Sequence, residues 1–173
     1  MNQMLGLNIP KTQRKLLRRK YFEGLARCSM KDGLVYQVGN HKAVSIWFPP
    51  GKSLQSFDPT LYYEYLEENG KARYERIQAK LRKHRERLHG NRPMWHCQLL
   101  GVDPKFQGHG YASKLVKNIT ASADQEGMQC YIECSKLSNV PIFEHYGFKT
   151  MEVVEVESGI PVYLMIRQPR NRS

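Results

Sequence analysis

Residues 99–112 read LLGVDPKFQGHGYA, and the order of residue types in this stretch decides how the rest of the chain is arranged. An apolar strand, Trp95 to Val102, feeds a turn at Asp103 and Pro104, then a glycine-bearing loop, then a helix that starts near Gly110 or Tyr111. In that order of elements, backbone N–H groups of the loop and of the first helical turn converge on one spot, and the helix dipole adds partial positive charge there. Gly108 and Gly110 let the main chain approach a ligand closely. The stretch reads as an anion cradle. A Gly-x-Gly loop alone also fits a plain strand-to-helix turn, so its surroundings must decide.

Outward from the cradle, the 173 residues leave room for one domain with a substantial core and are too few to suggest two. Hydrophobic residues make up 40% and charged residues 25%, an ordinary balance for a globular chain. No apolar run reaches the length of a membrane span, and the polar, basic N-terminus holds no cleavable hydrophobic stretch. The expected location is the cytoplasm, with the nucleus left open. Cys28, Cys97, Cys130 and Cys134 lack paired C-x-x-C spacing and read as free thiols, so no metal is expected. Alternation along residues 129–134 puts Cys130 and Cys134 on one strand face.

The net charge of +11 is unevenly placed. Residues 11–31 carry eight Lys or Arg against one acid, and residues 71–92 carry nine against two, so the remainder is slightly acidic. Such runs fit contact with nucleic acid or an acidic partner, but two solvated helix faces are the favoured reading.

Residues 12–28 read as an amphipathic helix with Leu16, Leu17, Phe22, Leu25 and Ala26 inward. Leu34–Val38 and Ala43–Phe48 read as a hairpin turning at Gly39, Asn40 and His41. Asp58 and Pro59 open a helix expected to stop near Gly70, and residues 71–89 form another, with Tyr74, Ile77, Leu81 and Leu88 packed and the basic face wet. After the cradle, Leu115, Val116, Ile119 and Ala123 form the buried face of a helix capped at Gly127. Residues 129–134 form a strand, Val140–Tyr146 a short helix closed by Gly147, and 153–156 with 162–166 a final hairpin. The tail from Pro169 is expected to be loose.

The order strand, cradle, helix, strand, Asn-led short helix, Gly-Phe, hairpin resembles the GNAT superfamily of N-acetyltransferases. Its V-x-P-x-x-Q-G-x-G-x-A signature is met by Val102, Pro104, Gln107, Gly108, Gly110 and Ala112, and its second motif by Asn139, Tyr146, Gly147 and Phe148. The wording of these segments is similar to the puromycin acetyltransferase branch. The resemblance implies an α+β acyltransferase fold: a mixed, mostly antiparallel sheet with helices on both faces and central strands splayed to admit acetyl-CoA, the opening expected near Pro104. It implies a single domain over 1–173, with residues 12–92 as N-terminal helices, hairpin and basic insert and 93–168 as the acetyl-CoA-binding core. Relatives place a strand and helix ahead of the helix at Thr12. The resemblance implies that this chain starts without them: either it is a shortened product, or the edge at Leu34–Phe48 is covered by residues 1–11 or by a second copy in a homodimer.

On the same resemblance, Leu100, Gly101 and Val102 would line the pantetheine arm, a peptide-like group that bonds like an added strand. Gln107, Gly108, His109, Gly110, Tyr111, Ala112 and Ser113 would hold the diphosphate, and Asn139 and Phe143 would flank the thiol end. Acetyl transfer to an amine needs a proton acceptor, an oxyanion site and a proton for the thiolate. Unbroken alternation places His96, Gln98 and Leu100 on one strand face, and His96, ordinarily titrating near ~6.5, is the candidate acceptor or a mere filler of the substrate wall. The oxyanion falls to a backbone N–H near Gly101 or Val102. Phe143 stands where relatives carry the general-acid tyrosine, which leaves Tyr146 as the candidate donor. The expected activity is acetyl transfer from acetyl-CoA to a primary amine of a small molecule. The alternative is a non-catalytic module docking on nucleic acid or an acidic partner through its basic helices; acetylation of a protein amine ranks lower.

Overall fold

The computed structural model describes residues 11–53, 68–90 and 92–170. The helix expected from Asp58 lies largely outside them. Six strands form one sheet: β1 (Leu34–Val38), β2 (Ala43–Phe48), β3 (Trp95–Val102), β4 (Cys130–Cys134), β5 (Phe148–Glu157) and β6 (Ile160–Arg167). Their spatial order is β1-β2-β3-β4-β6-β5. Only β3 and β4 run parallel; the other neighbours are antiparallel. Among the described residues four α-helices accompany them: α1 (Lys11–Asp32), α2 (Glu68–His89), α3 (Tyr111–Gln125) and α4 (Val140–His145). The expected α+β class holds, and β1 is one edge of the described sheet.

The two sheet faces carry different helices. On one, α3 and α4 bury Val116, Ile119, Ala123, Val140 and Phe143 against Trp47, Trp95, Cys97, Cys130, Ile132, Cys134 and Met165. Cys130 and Cys134 share that face, as alternation requires. On the other, Ile77 and Leu81 of α2 pack on Tyr131, Val154, Leu164 and Ile166, while Leu25 of α1 packs on Ile46 and Phe48. Burying a side chain such as Leu81 contributes about 1.5–3 kcal/mol, so these contacts, rather than helix propensity, hold the helices down.

Several sequence expectations need correction. α1 runs past Cys28 to Asp32, and its inward stripe is Gly24, Leu25 and Ser29, which are buried, with Tyr21 and Cys28 half-buried; Leu16 and Phe22 are exposed. Small residues at 24 and 29 are buried with Leu25 along this face. At Gly33 the approach is tight: a Cβ there would lie 2.9 Å from the Trp47 carbonyl oxygen. α2 runs straight through Gly70, where a stop was expected. β5 starts at Phe148 rather than near Val153: Thr150 and Glu152 take the less exposed positions while Met151 and Val153 are exposed, so the residue types over 148–153 do not show the alternation that marks a strand.

The basic face of α2 is not simply wet. Arg73 pairs with Glu157, His84 and Arg87 with Glu152, Arg85 with Glu133, and Lys80 donates to the Glu155 carbonyl at 2.6 Å. Acids spaced along β5 and β4 therefore fasten the helix across the sheet. That commitment weakens the nucleic-acid reading, since cations already paired with acids are less available to phosphates.

Candidate active site

The site is organised by what happens to β3 halfway along its length. Against β2, Ile46 faces Leu99 but Trp47 faces Cys97, so Gln98 is an extra residue in β3, a bulge. The bulge reverses the alternation. Leu99 joins Ile46 and Phe48 on the α1 side, whereas Leu100 joins Trp95 and Cys97 on the α3 side. His96 and Leu100 therefore do not share a face, contrary to unbroken alternation. Against β4, pairing covers Trp95 with Cys130, His96 with Tyr131 and Cys97 with Ile132, and then ceases. β3 continues along β2 and β4 along β6, so the two strands part at the bulge, several residues before Pro104. Beyond Cys97, the β4-facing edge of β3 at Leu99, Leu100, Gly101 and Val102 has no strand partner among the described residues.

The opening leads to the cradle. Asp103 accepts from the Lys105 N–H at 2.9 Å and starts a single 3-10 turn, Pro104–Phe106. Gln107 follows in extended backbone, and its carbonyl accepts from His109 Nδ1 at 2.9 Å. Gly108 and Gly110 have φ of +80° and +74°, in the left-handed region that favours glycine, and a Cβ on either would meet no atom within 4 Å. Gly110 is the N-cap of α3 and brings no side-chain cap. The N–H groups of Tyr111, Ala112 and Ser113 thus lack intrahelical partners and face the helix start together. These residues fit a diphosphate: open space beside two glycines, N–H donors with no intrahelical partner and a 15-residue helix dipole. The hairpin turn seals one flank, since a Cβ on Gly39 would lie 2.8 Å from the Tyr111 ring and the Asp103 N–H donates to the Lys42 carbonyl at 2.8 Å.

On the far side, Asn139 is exposed and is the N-cap of α4, and its side chain makes no cap bond. Phe143 is only 6% exposed and meets the Phe148 ring edge-on at 5.8 Å, which makes it core and leaves little surface for a cofactor. Tyr146 is half-buried, and its carbonyl accepts from Arg167 Nε at 3.2 Å. Arg167 also donates to both oxygens of Asp124 at 2.7 Å, tying the end of α3 to the end of α4.

His96 is half-buried and tilts against Tyr131, ring centres 5.2 Å apart. Burial pulls its imidazole down to about 4; Glu133 opposes this, and Arg85 and His89 add to it. The ring is neutral at physiological pH and can accept a proton. Because its folded pKa lies below the ordinary ~6.5, the folded state binds fewer protons between these values, and stability falls as pH drops through that window. Histidine ring NMR should show His96 titrating near 4. Titration at the ordinary histidine value would contradict this environment. Sequence reading missed Glu133, Tyr131 and Arg85, which surround this histidine; the available signal was a lone acid in the apolar strand CYIEC.

A family model described as the acetyltransferase (GNAT) domain matches residues 78–168, from within α2 to the end of β6. The chain belongs to the GNAT acetyltransferase family. An uncharacterised N-acetyltransferase of Schizosaccharomyces pombe is 31% identical over 178 residues, covering 93% of this chain and 70% of that protein. A crystal structure described as histone acetyltransferase HPA2 and related acetyltransferase from Corynebacterium glutamicum superposes with a TM-score of 0.65 over 96% of this chain and 81% of that one, at 17% identity. The Escherichia coli ribosomal-protein-S18-alanine N-acetyltransferase gives 0.50 over 87% and 78%, at 12% identity. These structural likenesses show the fold. Among the described residues no helix is long and apolar enough to cross a membrane.

Proposed function

We propose that this GNAT protein transfers the acetyl group of acetyl-CoA to the primary amine of a small molecule. The observation that carries the reading is the opening between β3 and β4 beyond Cys97 and Ile132, which ends on the Gly108–Gly110 cradle. The resemblance of the motif wording to puromycin acetyltransferases supports the small amine.

The residues divide the work. Gln107, Gly108, His109, Gly110, Tyr111, Ala112 and Ser113 hold the diphosphate with backbone N–H groups. The free edge at Leu100, Gly101 and Val102 bonds the pantetheine amides as a strand would, and an N–H of this segment faces the thioester oxygen. Asn139 steadies the thiol end. Neutral His96 takes the proton the amine sheds as the C–N bond forms, directly or through water, and Tyr146 returns one to the departing sulfur.

Thiol release from acetyl-CoA with a panel of amines tests this. The expected result is amine-dependent release that follows the affinity of the protein for coenzyme A. Retention on RNA at low salt with no release for any amine would favour a docking module instead. A Tyr146→Phe variant that keeps full activity would leave Tyr146 as a packing residue.

A further inference from the structure

Glu133 is the first β4 residue past the last β3 pair, Cys97 with Ile132, so it stands on the lip of the opening. Three donors converge on its Oε1: Arg85 Nε at 3.0 Å, Arg85 Nη2 at 2.6 Å and the Tyr131 hydroxyl at 2.9 Å. Among the described residues no hydrogen bond reaches Oε2. Tyr131 is the register partner of His96 as well as its ring neighbour. Arg85 comes from outside the strands, on α2. Arg73, His84 and Arg87 of that helix pair with acids on β5, whereas Arg85 reaches past them to β4. Charge-assisted bonds of this kind are short and directional, and they hold a carboxylate in one orientation.

We propose that Arg85 is a positioning residue for the acceptor half of the site: it fixes Glu133 and, through Tyr131, the His96 ring at the lip of the strand opening. The inference rests on the acetyl-transfer reading above. α2 then does more than cover the sheet, because one of its side chains orients the groups that meet the amine. Facing His96 are Tyr131 and Glu133 from β4 and Arg85 and His89 from α2. The carboxylate favours a protonated imidazole and the guanidinium disfavours it, so the two halves of one ion pair act on His96 with opposite sign.

Arg85→Met, Arg85→Lys and Glu133→Gln in the full chain test this by three readouts: histidine ring NMR, the pH profile of kcat for acetyl transfer, and coenzyme A binding by calorimetry. In Arg85→Met the His96 titration and the acid limb of kcat move up by about one pH unit, and kcat falls about tenfold, while coenzyme A affinity is unchanged. Glu133→Gln moves the titration down, and Arg85→Lys restores it toward the parent protein. A merely structural Arg85 would lower thermal stability in both arginine variants and leave the titration where it was; that result overturns the inference, as would Arg85→Met and Glu133→Gln shifting it the same way. If the parent protein binds coenzyme A and the titration does not move, only this inference fails. If the parent protein binds none, the transfer reading fails first.

Discussion

Gly110→Glu reduces coenzyme A affinity about 100-fold or more and leaves the protein folded. Gly110 stands at φ +74° as the N-cap of α3, with no atom within 4 Å of where a Cβ would lie. The left-handed backbone costs a non-glycine residue about 1–2 kcal/mol. A carboxylate at a helix N-terminus returns about 0.3–1 kcal/mol of that by meeting the dipole and the N–H groups that lack intrahelical partners. Folding is therefore nearly unaffected, whereas the carboxylate now occupies the place of the diphosphate and repels it. Like charges brought together in this way cost several kcal/mol, about two powers of ten in affinity. Circular dichroism with calorimetric titration separates the two effects. A folded variant that binds coenzyme A as the parent does would contradict the cradle assignment. Gly110→Ala, which adds no charge, should lose far less.

Asp124→Ala should cost about 3–5 kcal/mol of the roughly 5–15 kcal/mol of stability a domain has. Arg167 is 3% exposed and gives Asp124 two parallel bonds at 2.7 Å, while the Arg170 N–H adds a third at 2.8 Å. Without the carboxylate a buried guanidinium has lost its counter-charge, and the cost is that of the orphan rather than of the bond. Arg167→Met added to Asp124→Ala should recover part of the loss, because it removes the orphan. Chemical denaturation of the parent, both single variants and the double variant measures this. A double variant less stable than Asp124→Ala would contradict the account. The hydrogen bond from Arg167 holds the Asp124 carboxyl below its usual range, against the opposing effect of burial. Its contribution is complete above the unfolded value of ~3.9 and is lost as pH falls through the lower folded value, so Asp124→Ala should flatten the acid limb of the stability curve. Since Arg167 also binds the Tyr146 carbonyl, the same variant should loosen the end of α4 beside the site.

The strand, glycine loop and helix start of the candidate cofactor half were legible in the sequence because their signals are local. Gly108, Gly110 and the helix that follows lie within a few residues of one another, and backbone geometry there depends on residue type more than on distant packing. The bulge was harder to read. Gln98 is neither glycine nor proline, and the only trace of a reversed alternation is the adjacent pair Leu99 and Leu100, which the structure sends to opposite faces. That reversal moved the start of the opening from Pro104 back to Cys97 and separated His96 from Leu100. The acceptor half was least legible, since it is assembled from contacts distant in sequence. Arg85 and Glu133 are 48 residues apart, and Arg73 and Glu157 are 84. A charge run such as 71–92 looks solvated until the strands that carry its partners are placed. Phe143 shows a different limit: its register suggested a place beside the thiol, but packing against Phe148 made it core.

The central claim is that coenzyme A lies along the free edge of β3 with its diphosphate on the start of α3. Backbone amide NMR of the full chain titrated with coenzyme A tests it most directly. The account predicts that the largest shifts and the strongest protection from exchange fall on Leu100 to Val102 and Gly108 to Ser113. Shifts confined to the basic face of α2, or none at saturating ligand, would contradict it.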